Sequence, residues 1–428
     1  MITSRRKLVL ALDHRITQTR MNDQFNEPNV DHGPAMPDRR KFLVAGLGLA
    51  AAPLLTHVAT GAPSAETGAT VGKNPVSVRA YGATSAATPL GAMQIERRAI
   101  GANDVLLDVL YCGICHSDIH QARDEWATWN PTRYPCVPGH EFIGRVQAVG
   151  SAVTKFRVGD IGGVGCMVNS CGTCENCLAD REQNCLKEAT FTYNSPDPAT
   201  GGHTFGGYSD KIVVPEHFVI RIPPGVDLAA TAPLLCAGIT TFSPMQHWKL
   251  ARGQRVGVIG LGGLGHMAVK LAVARKADVT VFTTSPGKVA DAQRLGAREA
   301  VLWSDAAAMK RLANQFDLLI STVPQAYPMQ QFVNVLKLDA TLVNVGAMEQ
   351  FQGVNGIDLV LGRKSLAGSM IGGIAETQEV IDYCAARNIK AEIELIRPEE
   401  INRAYERVVS KDVRYRFVID MASTKAAG

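Results

Sequence analysis

The chain carries little excess of either charge: 44 Lys and Arg against 40 Asp and Glu leave a formal net charge of +4. It has no long basic run interleaved with aromatic residues, so a nucleic-acid surface has no footprint here. It has no internal repeat. Its apolar N-terminal run, Val44 to Leu55, falls short of the ~20 residues that a membrane span needs. Cysteine is missing upstream of Cys112 and nearly so beyond Cys236. Nine of the ten thiols lie between those two positions, and the last is Cys384. A disulfide framework spreads through a fold, so clustering of this kind speaks for metal. What remains is ordinary for a soluble globular protein: 428 residues, 46% apolar and 20% charged. That is ample material for the cores of two or three domains.

The densest chemistry lies in Cys112-Gly-Ile-Cys-His-Ser-Asp-Ile-His120, which packs thiols, imidazoles, a hydroxyl and a carboxylate into nine residues. Pro138-Gly-His-Glu141 follows, and much later Leu235-Cys-Ala-Gly-Ile-Thr240. Cys115, His140 and Cys236 are expected to converge on one zinc ion. A Cys₂His set leaves a fourth position open, which separates catalytic from structural zinc. The alternatives are a redox pair at Cys112 and Cys115, or residues that merely pack in apolar strands. Between these motifs stands Cys171-Gly-Thr-Cys174-Glu-Asn-Cys177, followed by Cys185. Four thiols at that spacing can close a tetrahedral Zn–S₄ shell that admits no water. An iron–sulfur site shares the short spacing, but the Cys-Pro ending of the bacterial ferredoxin motif is missing.

From Val76 to about Val226, short β-runs broken by Gly and Pro predict a partly open β-barrel. Examples are Val105–Tyr111, Phe142–Val149 and Ser209–Val214. The pattern then changes. Arg255–Ile259 reads as a buried strand running into Gly260-Leu261-Gly262-Gly263-Leu264-Gly265, with an apolar helix beyond. Between strand and helix, G-x-G-x-x-G is the dinucleotide fingerprint: a tight turn, close backbone approach to the pyrophosphate, and a helix N-terminus facing the phosphates. An NAD site ends its next strand in Asp or Glu, which holds the ribose hydroxyls. That acid is lacking here. The strand from Asp278 runs into Thr283, Thr284 and Ser285, with Lys288 beyond. Hydroxyls and an ammonium suit a 2′-phosphate, so the expected cofactor is NADP(H). The alternative for Lys288 is a surface-helix position.

Taken in order, these motifs resemble the zinc-containing medium-chain alcohol dehydrogenases, most closely the cinnamyl-alcohol-dehydrogenase branch with its bacterial aldehyde reductases. The resemblance runs from Val76 to Asp420. It implies an α/β protein of medium-chain dehydrogenase architecture. The catalytic zinc domain, 76–225 and 366–422, is a partly open β-barrel, and an inserted, doubly wound Rossmann domain covers 226–365. It further implies two zinc ions per chain, NADP(H), a small aldehyde or alcohol as partner, and a homodimer formed along the nucleotide-sheet edge. Thr240, Thr322, Gly346 and Ser369-Met370-Ile371 are expected beside the cofactor. Ser117 is expected to reach both the cofactor and an oxygen at the metal, with His120 relaying a proton to solvent. Asp118 should orient His140. His116 contacts the cofactor or fills structure, and Glu141 is either a ligand in a displaced state of the metal or a charge behind it. Trp126 and Trp129 are expected to line a pocket suited to aromatic or long aldehydes, and Tyr193 to border the site. The expected activity is hydride transfer between NADP(H) and aldehyde/primary alcohol pairs. The alternatives are a polyol or sugar dehydrogenase of the same fold, or a non-catalytic zinc protein that binds nucleotide.

Residues 1–75 lie outside the resemblance. Asp38-Arg-Arg-Lys-Phe-Leu43 and the apolar run after it read as a twin-arginine export signal, with small residues from Ala59 to Ala65 for cleavage and Met36 as a start. The expected location is periplasmic, and cytoplasmic if the paired arginines are accidental. Export in the folded state loads metal and nucleotide before the thiolates meet an oxidising compartment.

Overall fold

A computed structural model describes residues 74–346 and 349–423. The expected export signal lies outside them.

The nucleotide-binding half is built on six parallel strands: Arg255–Ile259, Asp278–Thr283, Glu299–Leu302, Phe316–Ser321, Leu336–Asn344 and Ser365–Gly368. In the sheet they stand third, second, first, fourth, fifth, sixth, the doubly wound order that reverses at the first strand. Parallel strands are covered on both faces, and this sequence supplies two cores. Val256, Val258, Leu318 and Ile320 point into one with Met267 and Leu271 of helix Gly263–Ala274. Ile259, Phe282, Leu319 and Leu342 point into the other with Phe332. The boundary expected at 366 cuts the last strand. Ser365–Gly368 pairs with Thr341–Asn344, so the nucleotide sheet continues through Gly368.

The other half is a seven-stranded sheet centred on Asp104–Gly113. That strand pairs antiparallel with Phe142–Val149, Lys211–Pro215 and Arg416–Asp420. Leu107, Val109, Phe142, Val214 and Phe417 form its core. The C-terminal strand Arg416–Asp420 lies directly against Tyr111–Gly113, so the end of the chain braces the start of the metal motif.

Between the last nucleotide strand and helix Ile374–Ala385 the chain passes the four-cysteine lobe at very close range. A Cβ on Gly373 would stand 1.9 Å from the Asp180 carbonyl oxygen, so only glycine passes there. Buried Glu182, within the lobe, accepts a hydrogen bond from the Ile374 N–H at 3.0 Å and pairs with His217 Nε2 at 2.8 Å. A carboxylate over the first N–H groups of a helix both satisfies an orphan donor and complements the dipole.

Candidate active site and metal centres

Cys115 precedes helix His116–Ala122, and its backbone N–H donates to Asp118 Oδ2 at 2.8 Å. That turn puts Cys115, Ser117 and Asp118 on one loop end. Cys236 caps helix Ala237–His247, the first long helix of the nucleotide half, which packs on helix Gly263–Ala274. His140 sits on a loop at the start of Phe142–Val149. The three meet as expected: Cys115 Sγ and Cys236 Sγ lie 4.0 Å apart, and His140 Nε2 is 3.2 Å from Cys236 Sγ. All three donor atoms lie within 4.8 Å of one another and are buried. Two sulfurs and one imidazole nitrogen at that spacing fit one Zn²⁺ with a free position. The hydrogen bond to Cys236, aided by the positive charge of Arg416, holds the Cys115 thiol well below its ordinary value. A thiolate is the form that takes a metal.

His140 presents Nε2 to the sulfurs because its other nitrogen is engaged. Nδ1 lies 3.0 Å from Asp118 Oδ1 and 3.1 Å from the Tyr193 hydroxyl. Asp118 therefore sits behind the histidine, fully buried, as the sequence indicates. Glu141 stands outside the Cys115–His140–Cys236 donor group, on the side of a charge behind the metal. Its carboxylate is taken by buried Arg416, whose Nη2 donates to Glu141 Oε2 at 3.2 Å while Nη1 donates to the Ile114 carbonyl at 3.4 Å. The guanidinium neutralises a carboxylate that would otherwise stand uncompensated among thiolates. Nothing in the motifs singles out Arg416. The available signal is a cation opening the apolar run Arg416-Phe-Val-Ile419. No motif marks Cys166 either. Its thiol is held below its ordinary value, first by Cys236 and, against the effect of burial, by the positive charge of His140.

Ser117 Oγ lies 3.7 Å from Cys115 Sγ. His120 Nδ1 is 2.5 Å from Glu125 Oε2, a partner that sequence reasoning did not include. The His120 ring stacks on His116 at 4.7 Å and on Trp126 at 5.1 Å. Trp126 thus walls the relay. Trp129 touches Trp126 at 5.1 Å and is 55% exposed, a rim position.

The second centre also assembles. Cys171, Cys174, Cys177 and Cys185 bring their sulfurs within 4.8 Å of one another. Backbone N–H groups of Thr173 and Cys174 pull the Cys171 thiol down to about 5. The donor set is four sulfurs and nothing else, which suits a closed structural zinc.

The glycine turn is shaped for a dinucleotide. Gly260 holds φ +91°, and a Cβ on Gly265 would meet the Gly260 carbonyl oxygen at 2.2 Å. A Cβ on Gly262 would meet nothing within 4 Å, the open side where backbone can approach a phosphate. On Gly263 it would run into the Arg416 guanidinium at 2.9 Å, so Arg416 faces both the metal motif and the phosphate turn. Thr322 Oγ1 donates to the Ile259 carbonyl at 3.0 Å and fastens the turn, while a Cβ on Gly346 would meet the Val323 carbonyl oxygen at 2.5 Å. Thr240 is buried one turn after Cys236. Ser369 donates its N–H to the Asn344 carbonyl at 3.1 Å, Met370 is exposed, and Ile371 holds φ +41°, rare for a β-branched residue. At the end of the second strand, Thr283 Oγ1 accepts from the Ser285 N–H at 3.1 Å, and Lys288 Nζ donates to the Leu261 carbonyl at 2.7 Å. Burial, then the positive charges of Arg414 and Lys411, lower the Lys288 ammonium. Cations gathered beside a glycine turn, with hydroxyls in place of the acid, fit a 2′-phosphate.

Barrel, doubly wound sheet and a Cys₂His site joining them define a zinc-dependent dehydrogenase. Residues 101–224 match the alcohol dehydrogenase GroES-like domain, and residues 263–386 match the zinc-binding dehydrogenase domain. The chain is 51% identical over 347 residues to the aldehyde reductase YahK of Escherichia coli K12, covering 81% of this chain and 98% of that one. It is 52% identical over 351 residues to the NADP-dependent alcohol dehydrogenase C 1 of Mycolicibacterium smegmatis, covering 82% and 99%. The structure of a CAD from Helicobacter pylori complexed with NADP(H) superposes with a TM-score of 0.76 at 41% identity, over 81% of this chain and 99% of that one. The protein belongs to the zinc-containing medium-chain alcohol dehydrogenase family.

Proposed function

We propose that the protein reduces aldehydes with NADPH, and reversibly oxidises primary alcohols, over a broad or aromatic range. The observation that carries this reading is the buried Cys115–His140–Cys236 cluster lying beside a glycine turn whose following strand ends in Thr283, Thr284 and Ser285. When bound, zinc polarises the carbonyl as a Lewis acid, and the nicotinamide supplies hydride. The chain's own residues do the rest. Ser117, beside the Cys115 sulfur, is placed to donate its hydroxyl hydrogen to the substrate oxygen. His120 is placed to resupply that proton, and Glu125, at Nδ1, fixes which ring nitrogen holds the proton that moves. Trp126, stacked on His120, presents an aromatic wall that favours flat or long aldehydes.

The test is substrate profiling with NADPH and NADH on cinnamaldehyde, benzaldehyde and xylose. Expected are NADPH-dependent turnover of both aromatic aldehydes, little turnover of the sugar, and loss of at least 10³-fold in kcat for Cys115→Ala, from the metal's share of the barrier. Equal rates in Cys115→Ala and wild type refute the catalytic-metal reading.

We also propose a homodimer through the sheet edge Ser365–Gly368. Supporting it, Leu338, Val360, Leu361 and Leu366 stand exposed around that edge, an apolar patch next to unpaired strand. Sedimentation is expected to give twice the chain mass, and Val360→Lys with Leu361→Lys to give monomer. Export by the twin-arginine route is proposed from Arg39 and Arg40. Native-length protein should fractionate with the periplasm, and an Arg39-Arg40→Lys-Lys variant should stay in the cytoplasm.

A further inference from the structure

Tyr208 has no place in the chemistry described above, yet it is among the largest fully buried side chains and reaches the metal motif from three directions. Its hydroxyl donates to Asp118 Oδ2 at 3.1 Å. Its backbone N–H donates to the Pro138 carbonyl at 3.0 Å, and Gly207 N–H to the Gly139 carbonyl at 2.8 Å, so Gly207-Tyr208 lies along the loop that carries His140. Its ring covers Gly139: a Cβ there would stand 2.6 Å from Tyr208 Cδ1.

Asp118 is thereby held by four groups. Cys115 N–H and Tyr208 O–H reach Oδ2 at 2.8 and 3.1 Å. Gly139 N–H and His140 Nδ1 reach Oδ1, both at 3.0 Å. Three of the four are backbone or ligand groups belonging to the segments that Asp118 must align. Tyr208 is the remaining side-chain hydroxyl, and it comes from a separate stretch just before strand Lys211–Pro215. A carboxylate pulled from one side by the Cys115 turn and from the other by the His140 loop needs an outside anchor to fix its plane. The plane of Asp118 in turn sets the ring of His140, because an imidazole orients along the hydrogen bond at its second nitrogen.

We propose that Tyr208 is a positioning residue of the metal centre: through Asp118 it fixes the ring of His140, and through its own ring it seats the Gly139 turn. The proposal rests on reading Cys115, His140 and Cys236 as one metal site. It predicts a selective effect, in which the hydroxyl matters to one metal and not to the other.

The experiment replaces both zinc ions by Co²⁺ in wild type and in Tyr208→Phe, which removes a single oxygen. Two properties are followed: the visible d–d absorption, and the release of metal to a chromogenic chelator, resolved into two phases. The Cys171→Ser variant assigns the tetrathiolate phase. In Tyr208→Phe the other phase is expected to run about tenfold faster, with its cobalt bands shifted, while the tetrathiolate phase is unchanged. Affinity for NADPH is expected to stay as in wild type, because Tyr208 touches no part of the glycine turn. Should Tyr208→Phe not fold, 3-fluorotyrosine placed at 208 keeps the hydroxyl and makes it a stronger donor, and release from the same phase is expected to slow. Two cobalt ions with identical spectra and release in wild type and variant overturn the role of Tyr208 alone. A wild-type chain that takes up a single cobalt, in the tetrathiolate, overturns the metal reading and this inference together.

Discussion

Acid should weaken this protein through one histidine. His266 stands inside helix Gly263–Ala274, fully buried, with Nδ1 3.3 Å from the Gly262 carbonyl and Nε2 accepting the Glu392 N–H at 3.3 Å. Its ring stacks on Tyr415 at 5.1 Å and 13°. Burial, then the positive charges of Lys270 and Arg416, pull its imidazole down to about 3. The unfolded chain binds that proton near 6.5, so the unfolded state gains protons first as pH falls. Stability from the neutral ring is therefore fully present above about pH 7 and is lost progressively on acidification toward pH 3. Between pH 7.5 and 4.5 the loss from this one group is ~3 kcal/mol, a sizeable share of a typical 5–15 kcal/mol. The assay is urea unfolding at both pH values for wild type and His266→Gln, whose amide stays neutral throughout. Carboxylates and metal ligands titrate alike in the two proteins, so the difference between their pH losses isolates the imidazole. Wild type should lose about 3 kcal/mol more than the variant. Equal losses, within about 1 kcal/mol, refute the argument.

Lys288→Ala removes a charge-assisted contact of about 1.5–3 kcal/mol, so KM for NADPH should rise about tenfold or more with kcat and the aldehyde KM little changed. Titration of NADPH fluorescence gives the same answer as binding. Glu182→Gln weakens the hold of the four-cysteine lobe on the chain after Ser369–Ile371, and NADPH affinity should fall several-fold while the catalytic-site metal content stays at one. Cys136 and Cys384 are pushed up to about 12, chiefly by burial, so iodoacetamide at pH 8 should leave both unmodified in the native protein and alkylate both in urea. Peptide mass mapping checks this.

What could be read from the sequence follows a physical divide. Gly260–Gly265, the four-thiol spacing and Cys-x-Ser-x-x-His are local: their chemistry is set by neighbours along the chain, and the structure brings them together as the spacing suggests. Arg416 and Tyr208 act across about 300 and 90 residues of sequence respectively, onto Ile114 and Asp118, and no periodicity reports such a pairing. Glu141 illustrates the same point. Adjacent to His140, it has the right chemistry for a ligand, and it is Arg416, arriving from the C-terminal strand, that holds it on the side of a charge behind the metal. The end of the nucleotide domain is not legible in the sequence because Ser365–Gly368 is four residues long, small in its side chains and at the sheet edge, where pattern signals are weakest.

Cys115 and His140 hang from the barrel, whereas Cys236 opens the first long helix of the nucleotide half. A divalent ion gripping all three is a rivet through two plates as well as a reagent. Pulling it out removes a mechanical tie between them, so chelation should register in how freely the two halves exchange backbone hydrogen at their seam, even in a solution that contains no substrate.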